Sequence, residues 1–306
     1  MTMTPMTTSS AERGLRSFAE GAFSLDDLLR AKQANGTTVS ACIPARNEAA
    51  TVGAVVAAIG RTLGGDAPGR GVGLVDEIVV VDDHSTDGTA DVAAAAGARV
   101  VDAASTLANH GGGHGKGEAL WKSVHASTGD LVVWVDADIV DFDPGFIIGL
   151  LGPLLCDPSL AFVKGHYHRP EANGVGGGRV TELLARPLLS LYFPELAEVA
   201  QPLAGEYAGR RSLLERLPFV VGYGVDVALL IDAVREVGIE CVAQVDLGIR
   251  HHRNRTLDEL GPQALAVGQA ILDRAGVRPP GPAILRRPGR EPLTIPMHER
   301  PPLSSL

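Results

Sequence analysis

Three apolar runs in the first 140 residues constrain the fold of this chain more than any other feature. "TVSACIPARNE", "DEIVVVDDHS" and "LVVWVDAD" are continuous rather than alternating, and each breaks off into charged residues. A strand with one wet face alternates apolar and polar positions, whereas an unbroken apolar strand is covered on both faces. Helix-forming stretches lie around the runs, at 49–63, 86–96 and 116–128, the second with Ser85 or Thr86 as its cap. Strand and helix in alternation specify an α/β fold, with helices above and below a mostly parallel sheet. "ARVVDA" adds a short strand and 24–33 a leading helix. Ligands of open α/β sheets sit beyond the carboxyl ends of the strands. "PARNE", "DDHSTDGT" and "DADIVD" should therefore line one crevice.

After about residue 150 the pattern changes. "LAFVKGHYHRP" reads as a strand and "EANGVGGG" as a mobile loop. "RVTELLARPLLSLYFPELAEV" reads as helix interrupted near Pro187 and Pro194, and "YGVDVALLIDAVREVG" as a clean amphipathic helix. A strand-like "IECVAQVDLGIRHHRNR" follows, then a helix over 256–275 and a Pro- and Arg-rich extended arm able to reach a neighbouring molecule.

With 45% hydrophobic residues among 306, a large core is available, built on Ala, Val, Leu and Ile because aromatics are only 4%. The net charge of −9 argues against a general nucleic-acid or anionic-membrane binder. Cys42, Cys156 and Cys241 are odd in number, far apart and without metal-site spacing, which suits a reduced cytoplasmic chain. The opening "MTMTPMTTSSAERG" has no basic segment followed by an apolar one, so no secretory signal is expected. No apolar run approaches the ~18–20 residues that span a bilayer.

Asp136 and Asp138 close the third run. A chain of this size holds on the order of one Asp-x-Asp by chance, and Asp141 and Asp143 form another. Alone, either pair is a strand end or turn with solvated carboxylates. At the mouth of an α/β crevice, the first pair has the hard oxygen ligands and the position to hold a divalent cation beside a nucleotide diphosphate. Asp82 and Asp83 follow "IVVV" in the same way and either accept hydrogen bonds from a ribose or base or serve a turn rich in turn formers. "GGGHGKGE" fails as a P-loop, since His110 stands where the first Gly is required and Gly117 where Ser or Thr is required. It remains either a solvated linker or a loop that brings Lys116 to a ligand at a helix N-terminus. "GGGRVTE" places Gly178, Arg179 and Thr181 where helix amides and a guanidinium suit a phosphate or carboxylate, or where a helix simply starts. "RHHRNR" (250–255) is either a solvated basic patch or a histidine that joins the aspartates on a cation, with arginines for an anionic substrate.

With these residues together, the chain resembles the retaining glycosyltransferases that make glucosyl-3-phosphoglycerate, and their mannosyl-3-phosphoglycerate relatives. The likeness runs from about 37 to 260 through "PARNE", "DDHSTDGT", "GKGEALW" and "VDADI", which suit many GT-A transferases. It continues through the more specific "GGGRVTELLARPLL", "QPLAGEYAGRR", "GYGVDVALLID" and "HRNRTLDELG". The resemblance implies a GT-A fold in four parts: an N-terminal segment (1–36), a nucleotide-sugar-binding subdomain (37–157), an acceptor-binding subdomain (158–275) and a C-terminal arm (276–306), the C-terminal extension serving dimerisation. It implies a nucleotide-sugar donor, D-3-phosphoglycerate as acceptor, Mg²⁺ or Mn²⁺ as cofactor and a homodimer.

Carried over residue by residue, Pro44, Ala45, Arg46 and Glu48 contact the uridine part of the donor, as does Asp83, which stands where the family often has Ser. Lys116 contacts the donor nucleotide, Asp136 the ribose or sugar side, and Ala137, between the aspartates, replaces a usual Ser. Asp138 and His252 hold the metal. Gly178, Arg179, Thr181, Asn254 and Arg255 match the acceptor site. Asp226 stands near the transferred sugar where relatives carry Glu, and with Asp136 and Lys116 makes the catalytic set. The reaction implied is glucose transfer from UDP-glucose to the 2-hydroxyl of D-3-phosphoglycerate with the anomeric configuration retained. The alternatives are GDP-mannose as donor and, more distantly, sugar nucleotidyl transfer; a non-catalytic sugar-nucleotide-binding module is a further reading.

Overall fold

The computed structural model describes residues 14–65, 72–168, 170–171, 174–175, 178–249 and 256–306. A short strand, β1 (Arg16–Phe18), leads into α1 (Leu25–Asn35), whose N-cap Ser24 accepts the Asp27 N–H and whose end turns on Gly36 at φ +62°. Then strand and helix alternate as β2 (Val39–Ala45), α2 (Val52–Leu63), β3 (Glu77–Asp82), α3 (Thr89–Ala95), β4 (Arg99–Asp102), α4 (Lys116–Ala126), β5 (Leu131–Trp134) and α5 (Gly145–Cys156). The second half runs through β6 (Phe162–His168), the small hairpin β7 (Pro170–Glu171) and β8 (Gly174–Val175), α6 (Arg186–Tyr192), β9 (Tyr207–Arg210), α7 (Arg211–Leu214) and β10 (Phe219–Val220). It closes with α8 (Val225–Val237), β11 (Val242–Ile249), α9 (Leu257–Arg274) and the short strands β12 (Ile284–Leu285), β13 (Leu293–Thr294) and β14 (Glu299–Arg300).

One eight-stranded sheet, ordered β1-β11-β6-β9-β5-β2-β3-β4, carries the molecule. Every neighbouring pair in it is parallel except those of β9, which runs antiparallel to β5 and to β6. Side chains of a strand alternate between faces, and here both faces are apolar. Ala41, Ile43, Val80 and Val133 pack under α1, α2 and α5, while Cys42, Val79, Val81, Val132 and Trp134 pack under α4 and α8. That two-sided burial is why the strand sequences are unbroken apolar runs. Each fully buried Val, Leu or Ile stabilises the fold by about 1.5–3 kcal/mol relative to an exposed one.

Three local readings are corrected. The cap of α3 is Gly88, at φ +88°, rather than Ser85 or Thr86. The two hydroxyl residues are used across the crevice instead, the Ser85 Oγ accepting the Asn47 N–H at 2.9 Å and the Thr86 N–H donating to Asn47 Oδ1 at 2.9 Å. Pro187 does not interrupt its helix. A π-turn over Thr181–Ala185, in which the Arg186 N–H reaches back to Thr181 O, widens the turn that the proline ring would otherwise strike. The segment 276–306 is not a free arm: it returns to its own chain, where Trp121 Nε1 donates to Pro301 O at 2.9 Å and the Ser304 N–H to Glu215 O at 2.9 Å. Helix α5 has no counterpart in the sequence reading, because "GFIIGLLGPLLC" is apolar on most sides and shows no helical period.

Candidate active site

The carboxyl ends of β5, β2 and β3 lie side by side, with Cys42 opposite Trp134 and Ala45 opposite Asp82. The loops after β2 and β3 are knitted together by main-chain donors. The Glu48 N–H donates to Thr89 Oγ1 at 2.8 Å and the Ala49 N–H to Asp87 Oδ2 at 3.1 Å, beside the two Asn47 bonds already described. Pro44 is half-buried, Ala45 buried and Arg46 exposed at the lip. Asp83 is buried. Its carboxylate accepts the Gly115 N–H at 2.7 Å, meets His84 Nδ1 at 2.9 Å and pairs loosely with Arg46 at 3.9 Å. Asp83 thus ties the end of β3 to the glycine loop in front of α4.

That loop delivers Lys116, the first residue of α4. Its side chain is 16% exposed, and the ammonium stands 2.9 Å from Asp136 Oδ1 and 3.3 Å from Asp226 Oδ1. Asp136 comes two residues after β5 and Asp226 from the first turn of α8, so one cation bridges carboxylates from the two halves of the chain. Burial alone would pull Lys116 down; Asp136 and Asp226 reverse that and hold it above its ordinary value, so it stays charged. At Gly205 a side chain would displace this bridge: a Cβ there would overlap the Lys116 ammonium and stand 2.5 Å from Asp136 Oδ2.

Under this bridge lie groups that sequence reasoning passed over. Tyr207, fully buried on β9, donates its hydroxyl to Asp226 Oδ1 at 3.1 Å. Burial, then the charge of Asp226, keeps its phenol protonated well above the ordinary range. Lys164 on β6 is also buried; it donates to the Asp226 main-chain oxygen at 3.1 Å, and its ammonium lies 4.2 Å over the Tyr207 ring. Burial pulls it down to about 8. The fully buried Glu206 adds a negative charge that acts on Lys116, Lys164 and Tyr207. The available signal was a lysine inside the apolar "AFVKGHY", a polarity violation that a buried structural strand does not need.

Across the crevice, Asp138 is exposed at its rim and Ala137 buried, its methyl joining the apolar core. Burial first, then Asp138, Asp87 and Asp136, raise the Glu48 carboxyl, so these carboxylates act on one another across the crevice mouth. Crowded oxygen ligands of this kind fit a hard divalent cation, which would relieve their repulsion. No group of three or more His, Cys, Asp or Glu poised around a cation occurs among the described residues. His252, the expected further ligand, and Asn254 and Arg255, expected at the acceptor, lie outside the described residues. Of the other acceptor residues, Gly178 is half-buried with its carbonyl accepting the Glu182 N–H at 2.9 Å, Arg179 is exposed and Thr181 buried. Of the second aspartate pair, Asp143 serves the turn before α5, its Oδ1 accepting the Gly145 N–H at 2.7 Å, and Asp141 is exposed.

Comparison with known proteins gives a consistent result. The family model for glycosyl transferase family 2 matches residues 40–217. The chain is 49% identical over 253 residues to the glucosyl-3-phosphoglycerate synthase of Mycolicibacterium smegmatis, spanning 80% of each chain. It superposes with a TM-score of 0.85 and 42% identity on the glucosyl-3-phosphoglycerate synthase of Mycobacterium tuberculosis in complex with Mn²⁺, UDP-glucose and phosphoglyceric acid, covering 95% of this chain and 98% of that one. The mannosyl-3-phosphoglycerate synthase of Rubrobacter xylanophilus matches with a TM-score of 0.85 at 39% identity, covering 95% and 97%.

Proposed function

The chain belongs to glycosyl transferase family 2 and, within it, to the glucosyl-3-phosphoglycerate synthases, and from that premise we infer that it is the glycosyltransferase that moves glucose from UDP-glucose to the 2-hydroxyl of D-3-phosphoglycerate. The observation that carries the reading to named residues is the Lys116 ammonium between Asp136 and Asp226, where the strand-end crevice meets the first turn of α8. In this reading residues 37–157 form the donor half and 158–275 the acceptor half, and 276–306 packs back against both, through Trp121 and Glu118 of the first and β10, Glu215 and Arg274 of the second.

The donor uridine lies along Pro44, Ala45, Arg46, Glu48 and Asp83, with its ribose and sugar side toward Asp136 and Ala137. Asp138, with His252, holds Mn²⁺ or Mg²⁺; when bound, the cation supplies Lewis-acid stabilisation to the departing diphosphate. Lys116 adds a fixed positive charge at the same end, with no reorganisation during the reaction. Gly178, Arg179, Thr181, Asn254 and Arg255 orient the acceptor phosphate and carboxylate, which converts much of the barrier into prior positioning. Asp226 lies beside the transferred sugar, but its Oδ1 is already engaged by Lys116 and Tyr207. That makes it a poor nucleophile for double displacement. Retention then proceeds on the front face, with a leaving diphosphate oxygen taking the acceptor proton.

A donor panel tests the reading. With D-3-phosphoglycerate and Mn²⁺, UDP release from UDP-glucose is expected to exceed GDP release from GDP-mannose by at least about tenfold in kcat/KM. Faster turnover of GDP-mannose would make the enzyme a mannosyl transferase. Pyrophosphate release would make it a nucleotidyltransferase.

The assembly in this reading is a homodimer. Its support is the pair Leu183 and Leu191, 79% and 74% exposed along the helix that passes through α6, with Leu257 at 72% at the start of α9. Light scattering is expected to give twice the chain mass, and a monomer at micromolar concentration would count against it. A reducing cytoplasm suits the three thiols, all unpaired, with Cys42 pushed up to about 12 by burial. No helix among the described residues is long and apolar enough to cross a membrane.

A further inference from the structure

The Gly-rich loop 111–115 does not lie free in front of α4. Arg300, on β14 at the far end of the chain, holds it. The guanidinium forks onto Glu118, with Nε at 2.5 Å from Oε2 and Nη2 at 3.1 Å from Oε1, across 182 residues of sequence. The same group donates to His110 O and to Gly111 O, the latter at 3.2 Å. One planar cation thus grips the start of the loop and the helix residue two places after Lys116.

The glycines of the loop answer to this grip. A Cβ at Gly113 would stand 2.5 Å from Arg300 Nη2 and 2.6 Å from Glu118 Oε2, so only glycine leaves room for the fork. Arg300 is itself fixed from three sides. β14 pairs antiparallel with β10, Trp121 lies under the guanidinium at 5.7 Å, and Arg274 binds the neighbouring Glu299. Beyond the loop, the Gly115 N–H is held by Asp83 at 2.7 Å, and Lys116 follows at once. Glu118 is fully buried and already has Lys122 at 2.8 Å, so charge compensation alone does not account for a second cation that also binds two loop carbonyls.

We propose that Arg300 is a positioning residue of the transfer reaction: through Glu118 and the loop carbonyls, the C-terminal strand sets where Lys116 meets the donor. The proposal rests on the assignment of Lys116 to the donor site. It predicts that contacts remote from the crevice govern the donor KM and leave the acceptor KM alone.

Two variants test it in the full-length enzyme. Arg300→Lys keeps a cation for Glu118 but cannot form the fork and reach both carbonyls. Gly113→Ala disturbs the fork from the loop side without changing any charge. Each is expected to raise the KM for UDP-glucose about tenfold, with the KM for 3-phosphoglycerate within about twofold of the parent. In Lys116→Ala, adding Arg300→Lys is expected to raise the donor KM no further, because both changes act on the same group. A donor KM unchanged in both variants, while Lys116→Ala raises it, brings down the proposal alone. An unchanged donor KM in Lys116→Ala brings down the donor-site assignment and the proposal with it. Equal rises in both KM values with a lowered Tm would make Arg300 a support of the fold only, and overturn the proposal.

Discussion

Asp138→Asn is expected to lower kcat/KM by about a thousandfold, with little change in Tm. The side chain is exposed at the rim of the crevice, so its replacement leaves the apolar core untouched. What it removes is one of the charges that raise the Glu48 carboxyl. Asparagine keeps the volume and an oxygen but not the charge, and a hard cation is held by charge. The Mn²⁺ concentration for half-maximal rate should therefore rise steeply, while UDP affinity measured without metal stays near that of the parent. An independent readout follows from the same electrostatics. With the Asp138 charge gone, the Glu48 carboxyl should titrate lower than in the parent. Turnover within about tenfold of the parent would remove Asp138 from the metal site.

The features legible in the sequence are those that a single segment dictates. Short, Val-rich unbroken apolar runs that alternate with helical stretches read as strands covered on both faces, and the rule that ligands sit beyond strand ends then brings Arg46, Glu48, Asp83, Asp136 and Asp138 to one crevice. The capping box of α9 is equally local: Thr256 and Glu259 exchange their bonds three residues apart. The less legible features depend on which segment sits beside which. β9 enters the parallel sheet antiparallel, between β5 and β6, and this insertion carries Gly205, Glu206 and Tyr207 under the Lys116 bridge. Nothing in "AGEYAGR" announces that neighbourhood. Arg300 is a stronger case, since in sequence it is one arginine of a Pro- and Arg-rich tail, and only the pairing of β14 with β10 turns it toward Glu118. The loop "GGGHGKG" fails as a P-loop by its residues alone, but nothing in that stretch shows the guanidinium that its glycines make room for.

Asp226→Asn is the second change with a large effect, and it separates the two routes to retention. Asp226 is 7% exposed, and its carboxylate is held by Tyr207 at 3.1 Å and Lys116 at 3.3 Å, so asparagine can occupy the same place. In the proposed reading, the charge lost is the one that faces the developing positive sugar. A loss of about 10²–10³-fold in kcat is expected, with the KM for 3-phosphoglycerate nearly unchanged, because the group acts on the transition state rather than on acceptor binding. The same substitution changes the pH profile in a stated direction. Burial draws Lys164 down to about 8, while Asp226, Glu206 and Asp136 support its charge against that and Lys116 opposes it. Without the Asp226 charge, Lys164 should lose its proton at lower pH, so any alkaline limb it contributes near pH 8 moves downward in the variant. If Asp226 were instead the nucleophile of a double displacement, Asp226→Asn would abolish transfer. A slow donor in the parent enzyme would then leave a glucosyl ester on that residue. Intact-mass measurement during turnover decides between these outcomes. An adduct of one hexose mapped to Asp226 would overturn the front-face reading, whereas its absence beside a residual, metal-dependent rate in Asp226→Asn is what a carboxylate already bound to an ammonium and a phenol should give.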